Sequence, residues 1–233
     1  MLGRLETGFV QAVRFSADAA HELQTPLTIL QGVLDDAVQN TENGSDEQQR
    51  SNDLLEEVQR LKVIVQKLLI LSRADAGELI LHFEPCDMSG MIESIIEDIG
   101  AIAPHLKLEQ HISPKVMVQA DPELLRQAIQ NLTSNSVKYN LKEGLIRVNL
   151  RQDTKNVRFH ISNSATPISD TERKRIFDRF YRIDKSRSKR VPGSGLGLPL
   201  AHEIIRAHKG QLFLEPATDN LITFTLSIPR IST

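Results

Sequence analysis

Between residues 2 and 42 only Pro26 opposes a helix, and Ala20, Leu23, Leu27, Leu30 and Leu34 recur at alternating steps of three and four. That recurrence lays one apolar stripe along one helix face, in the manner of a coiled coil. The run NGSD at Asn43–Asp46 predicts a turn, because Asn and Gly accept the backbone angles that reverse a chain. A second long helix is predicted beyond it, with Leu54, Val58, Leu61, Val65 and Leu68 at steps of four and three. The two helices together predict a hairpin over residues 1–78. A hairpin has a single apolar seam, yet Val33, Leu55 and Leu69 broaden both stripes. Pairing with a second copy into a four-helix bundle would bury that excess, so a homodimer is expected.

After Ala74–Gly77 the texture changes. Short β-rich runs follow at Leu79–Phe83, Leu106–Ile112, Val116–Ala120, Leu145–Arg151, Val157–Ser162, Gln211–Glu215 and Ile222–Ile228. Helical patterns lie between them near Met88–Ile99, Pro122–Tyr139, Thr171–Phe177 and Leu196–His208. Strands interleaved with helices predict an α/β sandwich over residues 79–233, with one mixed sheet covered by helices on one face. The chain as a whole is therefore expected to be α+β.

Composition narrows the partners more than the fold. With 40% apolar and 25% charged residues the chain can build an ordinary core. Its 28 basic and 30 acidic residues give a formal charge of −2, which supplies no general attraction for nucleic acid. Cys86 stands alone, so neither an intrachain disulfide nor a thiolate metal cluster can form, and a small buried hydrophobe is the expected role. No run approaches the roughly 20 apolar residues that cross a bilayer, and the opening MLGRLETGFVQAVR is too polar for a signal peptide. A soluble chain is expected. Because it begins abruptly inside a helical pattern, it reads as a fragment with further sequence upstream.

On a helical wheel His21 falls nearly opposite the stripe from Ala20 to Leu34, and Asp18, Glu22 and Thr25 share its outward side. A solvated face would explain those residues as well. An imidazole held on a rigid helix beside a carboxylate also suits a nucleophile that must lose its proton as it attacks. Pro26 bears on the choice, since proline inside a helix costs about 3 kcal/mol and a kink serving the turn with His21 would give it a purpose. HELQT at His21–Thr25 has threonine where the zinc motif His-Glu-x-x-His needs its second histidine. His202 and His208 are six apart and so miss the one-turn spacing of a metal pair, which leaves them structural roles.

FSADAAHELQTPLTIL at Phe15–Leu30 resembles the phospho-acceptor motif of the sensor histidine kinases, His-Glu-x-x-Thr-Pro within an apolar helix. The resemblance implies that His21 is phosphorylated, that Glu22 assists proton removal, and that Thr25 helps position water when the same helix dephosphorylates a response regulator. It also implies an ATP-binding domain of the gyrase, Hsp90, histidine kinase and MutL type, and three segments fit one. In NLTSNSVKYN at Asn131–Asn140, Asn131 and Asn135 lie one helical turn apart and could aim two amide oxygens at a magnesium ion and its waters. Lys138 would reach a phosphate and Tyr139 would pack on the purine. In GSGLGL at Gly193–Leu198, alternate glycines Gly193, Gly195 and Gly197 open a helix and free backbone N–H groups for phosphate oxygens. The segment lacks the Lys-Ser/Thr of a P-loop and follows a charged stretch, Arg182–Pro192, that matches the family's lid. Before it, IFDRFYR at Ile176–Arg182 is similar to the family's phenylalanine motif, so Phe177 and Phe180 would anchor the lid while Arg179 or Arg182 meets the γ-phosphate.

The third segment departs from the family pattern Asp-x-Gly-x-Gly. Here NSATP places Asn163 where the adenine-binding Asp is expected, Ala165 at the first glycine and Pro167 at the second. The copper- and silver-sensing kinases have a similar Asn-Pro-Gly-Thr-Pro stretch. An Asn carbonyl can accept the adenine amino hydrogen bond; if φ must be positive at Ala165, strain of roughly 1 kcal/mol would weaken ATP binding. The expected function is ATP-dependent phosphorylation of His21, phosphotransfer to an aspartate of a response regulator receiver domain, and phosphatase activity toward that regulator. The alternatives are a phosphatase-biased or pseudokinase dimer, an ATP-driven conformational machine, and a non-enzymatic scaffold. The resemblance further implies a cytoplasmic portion of a protein attached to the inner membrane through absent upstream residues.

Overall fold

The computed structural model describes residues 22–183, 193–216 and 220–230, and it divides into two compact units, Met1–Leu79 and Ile80–Thr233. His21 and Ala20, and the stretch 184–192, lie outside the described residues.

In the first unit, helix α1 is described over residues 22–40 and helix α2 spans Asp46–Asp75. Residues on both sides of Pro26 are helical. The turn closes through side chains: Ser45 caps α2 by accepting from the Gln48 N–H, and Gly44 takes the left-handed φ of 81° that glycine tolerates without strain. Gln48 then reaches back, its Oε1 accepting from Gly44 N–H and its Nε2 donating to Asn43 Oδ1 and Val38 O. Leu27 and Val65 form the buried centre of the hairpin, with Val58 and Leu69 packed against them. Other stripe residues stay open to solvent, among them Leu23, Leu30, Leu54 and Leu61.

The second unit begins with β1 (Glu84–Asp87), α3 (Met88–Ile102), β2 (Lys107–Ile112), β3 (Met117–Ala120) and α4 (Pro122–Lys138). It continues with β4 (Leu145–Gln152), β5 (Asn156–Ser164), α5 (Asp170–Arg173), α6 (Gly197–Ala207), β6 (Gln211–Leu214) and β7 (Leu221–Pro229). A five-stranded mixed sheet has the order β2-β4-β5-β7-β6, parallel only between β2 and β4. Alternation sets its two faces. Ile146, Val148 and Leu150 of β4 are buried, as are Val157, Phe159 and Ile161 of β5, while Arg147, Arg151 and Arg158 point the other way. Helices α3, α4 and α6 bring Ile92, Ile96, Leu125, Ile129, Leu200 and Ile204 to the core, all at helical spacing.

Two expectations shift. The strand expected at Leu79–Phe83 lies instead at Glu84–Asp87, and it pairs with β3 in a separate two-stranded ribbon outside the main sheet. The register there is set at one end by Asp87, whose side chain also caps α3 by accepting from the Ser89 and Gly90 N–H groups. The helix expected over Thr171–Phe177 is the single turn Asp170–Arg173, opened by a capping box of Ser169 and Glu172.

Candidate functional site

Helix α4 starts at the Asp-Pro pair. Asp121 accepts from Leu124 N–H, and Pro122 occupies the first turn, where a missing N–H costs nothing. Its buried face carries Leu125, Ala128, Ile129 and Leu132. The steps of four and three from Asn131 to Asn135 to Lys138 therefore put three polar side chains on a neighbouring, half-buried face. Tyr139 ends the helix with its ring half exposed and the Lys138 ammonium 5.6 Å from the ring centroid.

The glycine segment meets that face. A Cβ at Gly193 would overlap the Lys138 ammonium, and one at Gly197 would stand 3.2 Å from Asn131 Oδ1. Gly195 has φ +71° and lies so close to Phe180 that a Cβ would be 2.9 Å from its backbone, so glycine is required there twice over. Helix α6 opens at Gly197 with no side-chain cap, whereas α2, α3, α4 and α5 are capped by Ser45, Asp87, Asp121 and Ser169. Its first N–H groups are thus presented to an anion.

Phe180–Arg182 holds the other side of the segment. Phe180 N–H donates to Gly195 O at 3.1 Å, and Arg182 Nη1 donates to Gly193 O at 3.0 Å. Phe180 itself has φ +59° with an exposed ring, a conformation costly for a bulky residue. Phe177 behaves differently: it is half-buried, its ring 5.1 Å from His202 and edge-on to the buried Phe224 at 6.5 Å. Arg179 is exposed, and its charge is felt by Glu203 on α6. A hydrogen bond from His202 chiefly, with the charges of Arg206, His202 and Arg179, holds the Glu203 carboxyl below its ordinary value despite partial burial.

Asn163 is buried at the end of β5, between Ile146 and Ile222, with its Nδ2 turned toward the backbone carbonyls of Tyr139 and Ser164 at 3.5 and 3.4 Å. Positive φ among described non-glycine residues is confined to Lys115, Glu143, Phe180, Lys209 and Asn220. Ala165 is not among them. Its N–H donates to Asn220 O, which carries the β5–β7 ladder one step further. The strain that would have weakened nucleotide binding at Ala165 is absent.

On α1, Glu22 and Thr25 are both exposed. Their placement relative to His21 lies outside the described residues. His202 and His208 serve packing: His208 is buried with both ring nitrogens hydrogen-bonded. Cys86 is buried, and burial pushes its thiol up, followed by the effect of Asp87. Among the described residues no cluster of three His, Cys, Asp or Glu side chains could hold a metal, and no helix is long and apolar enough to cross a membrane. The site's donor set fits a magnesium nucleotide instead. Backbone N–H groups and an ammonium suit phosphate oxygens, and neutral amide oxygens suit a hydrated hard cation. Sequence reasoning missed Asp121 and Glu203; the Asp-Pro pair was a legible helix start, while Glu203 carried no local signal.

Residues 11–77 match the His Kinase A phospho-acceptor domain, and residues 120–231 match the family described as histidine kinase-, DNA gyrase B-, and HSP90-like ATPase. The chain is 31% identical over 236 residues to the probable sensor kinase SilS of Salmonella typhimurium, covering 99% of this chain and 47% of that protein. It is 33% identical over 211 residues to the sensor histidine kinase CusS of Escherichia coli strain K12, covering 90% and 44%. Full-length ShkA in complex with AMPPNP shares the fold, with a TM-score of 0.79 at 22% identity over 94% of this chain and 46% of that one. The chain thus spans about half the length of the curated relatives it matches. With a phospho-acceptor domain followed by an ATPase domain in one chain, this protein belongs to the sensor histidine kinases.

Proposed function

We propose that the chain phosphorylates His21 from ATP and passes the phosphoryl group to an aspartate in the receiver domain of a response regulator. The observation that carries this reading is the meeting of Lys138 and Asn131 with the glycine segment at Gly193 and Gly197, next to the uncapped start of α6. Residues 79–233 act as the ATP domain and residues 1–78 as the acceptor and dimerisation hairpin.

ATP supplies the γ-phosphoryl group, whose charge a magnesium ion would neutralise when bound. Asn131 and Asn135 would hold that ion through their amide oxygens, directly or through its waters. Lys138, the N–H groups at Gly193, Gly195 and Gly197, and Arg179 or Arg182 hold the phosphates, since phosphoryl transfer depends on positioning and charge far more than on covalent help. Tyr139 lies along the purine and Asn163 Oδ1 accepts from its amino group. The absence of a positive φ at Ala165 supports nucleotide binding without the backbone strain that alanine would carry there. A ring nitrogen of His21 attacks the γ-phosphorus as the bond from phosphorus to the β–γ bridging oxygen breaks and ADP leaves, while Glu22 takes the imidazole proton at its carboxylate. Thr25 orients water for the reverse duty, hydrolysis of the regulator's phosphoaspartate. A second copy covers the apolar surface that the hairpin leaves exposed, which makes a four-helix bundle. In the longer protein, upstream segments attach this portion to the membrane from the cytoplasmic side.

Incubation of the whole chain with γ-labelled ATP and magnesium should place acid-labile phosphate on His21, and His21→Gln should remove it entirely. Label retained in His21→Gln, or mapped to another residue, would sink the assignment.

A further inference from the structure

We infer that Asp121 and His208 are positioning residues that couple the segment entering the second unit to the two helices that hold the nucleotide. The inference rests on the nucleotide reading above. An N-cap needs one carboxylate oxygen, and Asp121 Oδ1 fills that role by accepting from Leu124 N–H at 3.0 Å. Its second oxygen, Oδ2, accepts from His82 N–H at 3.1 Å. Capping does not account for that bond. The Asp121 backbone N–H in turn donates to His208 Nε2 at 3.0 Å. Nε2 must therefore accept, which leaves Nδ1 as the protonated nitrogen, and it donates to Ile204 O at 2.8 Å. The Phe83 ring stands edge-on to the His208 imidazole, 5.6 Å between centroids. Glu84, next in the chain, pairs with Ala120 in the β1–β3 ribbon.

Residues 82–84 are thus tied to residues 120–121 and to His208 by three contacts of different kinds. Asp121 and His208 are both buried, at 7% and 4% exposure, so water competes poorly for the bond between them, while His82 and Phe83 approach from the surface. From Asp121, α4 runs as one rigid element to Asn131, Asn135 and Lys138. From Ile204 and His208, α6 runs back to Gly197. The two helices pack on each other. A shift of the chain at residues 80–83 reaches both ends of the phosphate site through this one junction, and nucleotide binding must bias the junction by the same free energy in return.

The test is amide hydrogen exchange on the whole chain, resolved to single residues, with and without AMPPNP and magnesium. In the wild type, AMPPNP should slow exchange in Gly193–Gly197 and also at His82, the latter by at least about fivefold, the lower end of ordinary coupling. Asp121→Asn keeps an N-cap of equal quality but turns an amide nitrogen toward the His82 N–H, donor to donor. It should melt below the wild type, since one donor loses its acceptor, yet stay folded at the temperature of the experiment, keep the protection at Gly193–Gly197 and lose it at His82. Protection at the glycine segment with His82 unchanged in the wild type overturns the inference, as does protection of His82 that survives in Asp121→Asn. Absence of protection at Gly193–Gly197 overturns the nucleotide reading, and this inference with it.

Discussion

In the helical hairpin Leu23, Ile29, Leu30, Val33 and Leu54 each keep about half or more of their surface exposed, whereas in the second unit Ile146, Leu150, Phe159, Ile161 and Phe224 keep almost none. The apolar residues are of the same kinds in both places. What differs is the number of layers available to cover them: the hairpin offers one helix to each helix, while the sheet lies beneath α3, α4 and α6. The second unit closes its own core. The hairpin leaves surface for a partner, which suits a region whose work is done between molecules.

The largest contrast should come from the cores. Phe159→Ala should cost the second unit about 3–5 kcal/mol, from lost burial plus a cavity in a site with no exposure. Leu30→Ala, half exposed in the single chain, should cost under about 1 kcal/mol at low protein concentration and more as concentration rises and the dimer forms. Thermal melts over a concentration series would check both; a concentration-independent loss at Leu30 would break the contrast.

Two glycines should then move in opposite directions. Gly195→Ala meets both the positive φ and the Phe180 backbone, so AMPPNP affinity should fall about tenfold or more, from strain of about 1–2 kcal/mol per left-handed alanine. Gly32→Ala, in α1 with nothing within 4 Å of the new methyl, should stabilise the hairpin by about 0.5–1 kcal/mol. Titration calorimetry and melting would read the pair. A neutral Gly195→Ala would mean that the segment is not held as described.

The smallest effect concerns charge. Since the folded Glu203 carboxyl lies below its unfolded value, it adds stability above about pH 4.3, which is lost as pH falls through the lower folded value. Glu203→Gln should thus cost about 1 kcal/mol near pH 7 and nothing once the wild-type carboxyl is protonated. Equal melting temperatures at both pH values would show that the His202, Arg206 and Arg179 contacts add nothing.

Much of this was legible along the chain. The steps of three and four marked both hairpin helices, alternation marked β4, β5 and β7 to within two residues, and the motifs singled out Asn131, Lys138, Gly193 and Gly197, which the fold brings together. Local signals of this sort survive folding because each depends on near neighbours. The failures have the opposite character. The strand expected at Leu79–Phe83 moved to Glu84–Asp87 because β3 and the Asp87 cap choose the register. Phe177 is half-buried against Phe224 while Phe180, three residues on, is exposed, a difference that residue type alone does not reveal. Ala165 avoids a positive φ, and its N–H continues the ladder to Asn220 O, 55 positions along the chain.

The sequence by itself determined a helical hairpin followed by an α/β unit, and the match of its first part to a phospho-acceptor domain, since patterning and motif spacing are properties of short stretches. Only the tertiary structure decided that Lys138 and Asn131 close on Gly193 and Gly197, and that Asp121 joins His82 to His208. Those bonds link residues 39 and 87 positions apart. A hydrogen bond of a few ångströms between such distant positions exists only where the packed sheet and helices bring them together.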